Sequence, residues 1–180
     1  SSTKDYNKDI LKRLHWIDSL HGKSTTYPNS THTTQLIVGA NDESDREILH
    51  RMEKIYNKTK LKRTYFSAFS PIQETDFENK EACSTNRTAK LYNADSLLND
   101  YHFKLNELVF NENNQLSLTQ DPKIMAAENM NIFPVEITSA PFVELIRVPG
   151  IGIKSARKII SIRKKIPFKN KNELKKLGVV

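Results

Sequence analysis

The sequence predicts an α/β chain in two parts: a partial parallel sheet packed by helices, then a small all-helical C-terminal domain. Three observations carry this expectation. Two short apolar runs, Gln35 to Ala40 and Thr64 to Phe69, flank a stretch of helical periodicity, which is the order of a βαβ unit. Near the C-terminus, Val148-Pro149-Gly150-Ile151-Gly152 separates two segments with apolar residues at helical spacing. The positive charge, finally, is confined to one end. Of 28 Lys and Arg, eleven fall between Ile137 and Val180 against Glu144 and Glu173 alone, a net of +9, while the preceding 136 residues hold 17 basic and 19 acidic side chains, a net of −2.

Taken in order, Ile10, Leu11, Leu14, Ile17 and Leu20 recur at helical spacing and predict an amphipathic helix from about Asn7 to Leu20. Trp16 on that helix is expected in the core or at an interface. Gln35-Leu36-Ile37-Val38-Gly39-Ala40 has the form of a strand buried on both faces. Asn41 to Ser44 supplies helix caps, Asp42, Glu43 and Asp45 suit the positive end of a helix dipole, and Ile48, Leu49, Met52, Ile55 and Tyr56 form the apolar stripe. Thr64 to Phe69, stopped by Ser70-Pro71, is the second strand, parallel to the first. Ser84 to Asp100 reads as a helix, Asn111 to Gln120 as a loop, and Asp121-Pro122 as a helix start, Asp capping and Pro filling the first turn. The expected division is 1–132 for the sheet-bearing part and 133–180 for the helical domain.

Composition bounds the function. A chain of 180 residues with 37% hydrophobic residues has material for a modest core. No window approaches the roughly 18 consecutive apolar residues of a membrane span, and the polar start Ser1-Ser2-Thr3-Lys4-Asp5 lacks the apolar centre of a signal peptide behind it, so a cytoplasmic location is the expectation. Cys83 is the single cysteine, which rules out an intrachain disulfide, a thiolate zinc site or a complete set of iron-sulfur ligands from this chain. The five histidines are dispersed, and no metal site is expected. Gly22-Lys23-Ser24-Thr25 imitates the end of a phosphate-binding loop, but Ile17 stands where that loop requires a glycine.

The C-terminal turn has legible chemistry. Gly150 and Gly152 allow backbone angles and close approach that a side chain would forbid, and Ile151 pins the turn into the core. Backbone amides at the start of the second helix are then free to hold an anion, and Lys154, Arg157 and Lys158 lie one turn apart on the polar side of that helix.

Ile137-Thr138-Ser139-Ala140, Leu145, Val148 to Gly152, Ala156, Ile159 and Arg163 resemble the helix-hairpin-helix DNA-binding motif. The resemblance implies non-sequence-specific binding to the DNA phosphate backbone through Val148, Gly150, Ile151, Gly152, Lys154, Ser155, Arg157 and Lys158. Phe168, Leu174 and Leu177-Gly178 resemble the start of a second hairpin, without its second glycine. Such hairpins also serve as packing or protein-docking elements, so the competing class is a non-enzymatic DNA-binding or docking module.

A second resemblance covers most of Ser30 to Val180. Thr33 to Ala40, Glu43 to Leu49, Tyr65 to Pro71 and Leu91 to Asp95, in this order and ahead of the hairpin, are similar to the C-terminal half of a radical S-adenosylmethionine family described as DNA modification or repair proteins. It implies that the sheet is the late part of a partial (β/α) barrel, with Gln35, Ile37, Gly39, Ser67 and Phe69 lining S-adenosylmethionine. It also implies a [4Fe-4S] cluster for the intact family protein, held by three closely spaced cysteines that this chain does not contain. Self-association or pairing with an absent N-terminal half would then be required. Gln35 to Ala40 reads equally as a simple buried strand, and no residue here stands out as a catalytic acid, base or nucleophile.

Overall fold

A computed structural model describes residues 5–20, 23, 31–165, 168, 173 and 175. The chain gathers into two compact units, Ser1–Tyr92 and Asn93–Val180. Residues 93–132, grouped with the sheet by sequence character, thus lie in the same unit as the C-terminal hairpin.

In the first unit a π-helical turn, Tyr6–Leu11, is capped by Asp5, whose carboxylate accepts the Lys8 amide at 2.8 Å, and runs into α1, Lys12–Leu20. Only Leu14 of this segment is buried, and Trp16 is 63% exposed, which removes the core from the two places expected for it, core or interface. Two positions along a helix rotate a side chain by roughly 200°, so a residue two after the buried Leu14 faces away from the core.

Strands β1, Thr33–Val38, and β2, Arg63–Ala68, pair in parallel, with Gln35 opposite Tyr65 and Ile37 opposite Ser67. The helix between them, α2, is Asp45–Lys58. Its start is a capping box: the Ser44 hydroxyl accepts the Glu47 amide, and the Glu47 carboxylate accepts the Ser44 amide at 2.8 Å. The bond from the Ser44 amide, with a second donated by the Ser44 hydroxyl at 2.8 Å, holds the Glu47 carboxyl below the usual carboxylate range. The expected stripe is buried at Ile48, Leu49, Met52 and Ile55.

Helix α3, Thr85–Asn99, crosses from the first unit into the second. Its first turns are tied to α2 by Arg87, which donates to the Asp45 carboxylate at 2.7 Å and to the Glu43 carbonyl at 2.8 Å.

Both helices stack on one face of the sheet, where Val38, Thr64 and Phe66 are buried. The Tyr56 hydroxyl of α2 accepts the Thr64 amide at 3.2 Å, and the Tyr92 hydroxyl of α3 accepts the Phe66 amide at 2.9 Å and donates to its carbonyl at 3.2 Å. The opposite face is open. Ile37 is 58% and Tyr65 43% exposed there, and Gln35 is exposed beside them, so β1 is not buried on both faces as its apolar run predicts. The cause is layering: among the described residues the sheet has two strands, and its two contacting helices meet the same face, Met52 of α2 against the Thr64 hydroxyl and Tyr92 of α3 against the Phe66 ring.

The second unit continues from α3 through a 3-10 turn, Leu105–Glu107, that no sequence pattern announces. The expected loop follows. The Asn111 side chain accepts the Asn113 and Gln115 amides at 3.0 and 2.9 Å, a local arrangement that supplies backbone partners without a helix or ladder. Helix α4, Pro122–Asn129, begins as expected, with the Asp121 carboxylate accepting the Lys123 and Ile124 amides and Pro122 in the first turn. Two further helices follow: α5, Phe142–Leu145, and α6, Ile153–Arg163. Their shared core is Ala140, Leu145, Ile146, Ile151, Ala156 and Ile159, with Tyr101, Phe142 and Phe168 packed against it. Leu174 and Leu177 to Val180 of the expected second hairpin lie outside the described residues, as do Gly22, Ser24 and Thr25.

Candidate nucleic-acid interface

The turn between α5 and α6 is built from the residues singled out by sequence. The Ile151 amide donates to the Val148 carbonyl at 3.1 Å, closing the turn, and Ile151 itself is buried. Gly150 has φ +82, in the left-handed region where a Cβ is penalised, so glycine there is a requirement of the fold.

Gly152 is different. Its φ of −86 and ψ of 173 are open to any residue, and an added Cβ would meet nothing nearer than the Tyr101 hydroxyl at 3.5 Å, an ordinary contact. It is the N-cap of α6 and leaves the first amides of the helix without a side-chain acceptor.

From that end the helix presents two faces. Ala156 and Ile159 are buried in the core, with Ile153 and Ile160 packed beside them. Lys154, Arg157 and Lys158 are exposed, at the i, i+3 and i+4 positions that share one side, and Ser155 is half-buried between the faces. Val148 is half-buried against the core, and Gly150 is exposed at the tip of the turn.

Among the described residues, Arg147 and Arg163 of the tail's basic side chains are engaged by the fold. Arg147 donates to both Glu107 oxygens, at 2.7 and 3.0 Å, and to the Val143 carbonyl at 2.8 Å, with its guanidinium 4.8 Å from the centre of the Phe103 ring. Burial pushes the Glu107 carboxyl up, but the bonds from Arg147 and from the Lys104 amide outweigh it and hold the group below its ordinary value. Arg163, part of the sequence resemblance, donates to the Ile137 and Ala140 carbonyls at 3.0 and 2.7 Å, closing the segment that leads into α5.

One neighbour had no local signal. Lys123 of α4 donates to the Ile151 carbonyl at 2.7 Å and stands 4.7 Å above the Tyr101 ring. The bond to Ile151 joins residues 28 positions apart in sequence, beyond the reach of any spacing rule.

The positions assigned to a cofactor do not converge in the same way. Gln35 donates to the Ser67 hydroxyl at 2.6 Å on the open sheet face, with Ile37 beside them. Gly39 has φ +83, and a Cβ there would lie 2.7 Å from Cys83 Cβ, so the fold itself demands that glycine. Phe69 packs edge-on against Phe77. A concavity of about 860 Å³ in the first unit is lined by Tyr6, Leu11, Leu36 and Arg51 among others, and of the five positions only Ile37 reaches it. An iron-sulfur cluster does not fit this chain: one thiol, with Sγ 3.6 Å from the Ser84 carbonyl, cannot provide three thiolate ligands. Among the described residues no group of His, Cys, Asp and Glu gathers as a metal site.

Two short helices joined by a glycine turn and packed on a shared core define a helix-hairpin-helix. Residues 131–179 match the family model of the helix-hairpin-helix motif, which supports a DNA-binding role. No curated protein and no solved structure matches the chain.

Proposed function

We propose that the α5–α6 hairpin binds duplex DNA through its phosphate backbone without reading sequence. The observation that carries this reading is Gly152. Neither its backbone angles nor the space around it calls for a glycine, whereas close approach of an external anion to the amides of α6 does. Lys154, Arg157 and Lys158 stand on the exposed side of the same helix and supply charge for phosphate contacts, which carry no sequence information.

Because Arg147 and Arg163 serve the fold, the charge available at the hairpin is smaller than the tail's composition implies. Three phosphates neutralised by Lys154, Arg157 and Lys158 give a log–log salt slope of roughly −3, and the limit with Arg147 and Arg163 set aside from the eleven is roughly −8. Fluorescence anisotropy on two unrelated duplexes over a salt series tests this. Equal affinities and a slope between these two values are expected, and Lys154→Glu should weaken both duplexes alike. Unchanged affinity in a folded Lys154→Glu variant would assign the hairpin to packing or protein docking.

The wider setting proposed from sequence is a radical S-adenosylmethionine DNA modification or repair protein of the cytoplasm. The open sheet face bearing Gln35, Ile37, Tyr65 and Ser67 supports a sheet completed by further chain. The cluster would have to come from outside this sequence, so no reaction step is assigned to these residues.

A further inference from the structure

We propose that Lys123 is a positioning residue of the DNA-binding hairpin: from α4 it fixes the turn through the Ile151 carbonyl and sets a cation directly behind the amides that meet phosphate. This rests on the reading of the hairpin given above and extends it to a residue outside the motif. The geometry is specific. Lys123 Nζ lies 2.7 Å from the Ile151 oxygen, and that carbonyl belongs to the peptide whose nitrogen is Gly152, so the ammonium sits within about 5 Å of the first free amide by covalent dimensions alone.

Two further contacts keep it there. The Tyr101 ring, itself packed on the hairpin core, faces the ammonium at 4.7 Å, and Asp121 caps the turn of α4 from which Lys123 projects. An ammonium on this carbonyl polarises the Ile151–Gly152 peptide and makes its N–H a better donor, so the two roles, holding the turn and strengthening the anion site, act through one bond.

The group is also placed to report on itself. Burial lowers the Lys123 pKa to about 8, partly opposed by the Asp121 carboxylate. The groups facing it are that carboxylate on its own helix, the Tyr101 ring from the segment after α3, and a backbone carbonyl from the hairpin. Raising the pH through 8 therefore removes the cation and loosens the hold on the turn.

The test measures duplex dissociation constants for the full chain at pH 7, 8 and 9 and constant ionic strength. Wild type should weaken severalfold from pH 7 to pH 9. Lys123→Met should bind about tenfold more weakly at pH 7 and show no further decline, as expected for loss of one charge-assisted contact. Lys154→Glu should bind more weakly at every pH and keep the decline. A flat wild-type profile, or a decline that persists in Lys123→Met, overturns the assignment of Lys123. Wild-type affinity in Lys154→Glu instead overturns the hairpin reading on which it rests. If Lys123→Met does not fold, Lys123→Arg decides: a cation that does not titrate should bind like wild type at pH 7 and lose the decline, and a decline retained in Lys123→Arg refutes the role.

Discussion

Replacing Gly152 by Ser separates what the fold needs from what DNA binding needs. Position 152 is the N-cap of α6, with extended backbone angles that serine adopts freely and room for a Cβ. A serine hydroxyl there would accept the amide of Lys154 or Ser155, the bond a good N-cap makes. Serine exceeds glycine as a cap by about a few tenths of a kcal/mol, and the loss of glycine's freedom in the unfolded chain adds up to about 1 kcal/mol. The variant should therefore match or exceed wild type in Tm. The same hydroxyl takes an amide that the phosphate would use and adds bulk where the strand approaches. Loss of a hydrogen bond to a charged group costs about 1.5–3 kcal/mol, so duplex affinity should fall roughly ten- to a hundredfold. Thermal unfolding and fluorescence anisotropy on the same preparation check both halves. Wild-type affinity in a stable Gly152→Ser protein would refute the argument that this glycine exists for an external anion.

Gly150→Ala gives the opposite pattern, because φ is +82 there: stability should fall by about 1–2 kcal/mol in a denaturant titration, with DNA binding lost only as the protein unfolds. Arg147→Met leaves the half-buried Glu107 carboxylate without its bidentate partner and should cost about 2 kcal/mol, while the salt slope of DNA binding stays as in wild type. The pH dependence follows from the same pair. The folded Glu107 pKa lies below its unfolded value near 4.5, so its contribution is complete above that pH and is lost as the pH falls through the folded value. Acid unfolding of Arg147→Met followed by circular dichroism should lack this component, and an unchanged acid limb would sink the account.

Local patterns carried far in this chain. A cap within Asn41 to Ser44, Asp121 with Pro122, and the alternation of buried and exposed positions along α2 and α6 are each determined within a few residues, and the structure places them where sequence does. What sequence missed is the layering and the long-range polar contacts. An apolar run such as Gln35 to Ala40 does not reveal whether one or two layers cover it, and here Ile37 is left open while Val38 is fully buried. At the hairpin, the glycines and the basic side of α6 were visible from spacing. The diversion of Arg147 to Glu107 and of Arg163 to two carbonyls was not, because those partners are 40, 26 and 23 residues away and charge counting treats every cation alike.

The two tyrosine hydroxyls on β2 have a consequence for how copies of this molecule can associate. In a strand the N–H and C=O of every second residue face the same edge, and at Thr64 and Phe66 that edge is already engaged by Tyr56 and Tyr92. Growth of the sheet beyond β2 would have to break three hydrogen bonds before making any. Among the described residues β1 pairs only with β2, so at most one border of the sheet is left for another strand. A fibre needs two usable borders on every subunit, since each copy must both receive a strand and offer one. With a single border, pairing through this sheet closes after one partner is taken up, and the tyrosines act as a chain terminator against open-ended polymerisation.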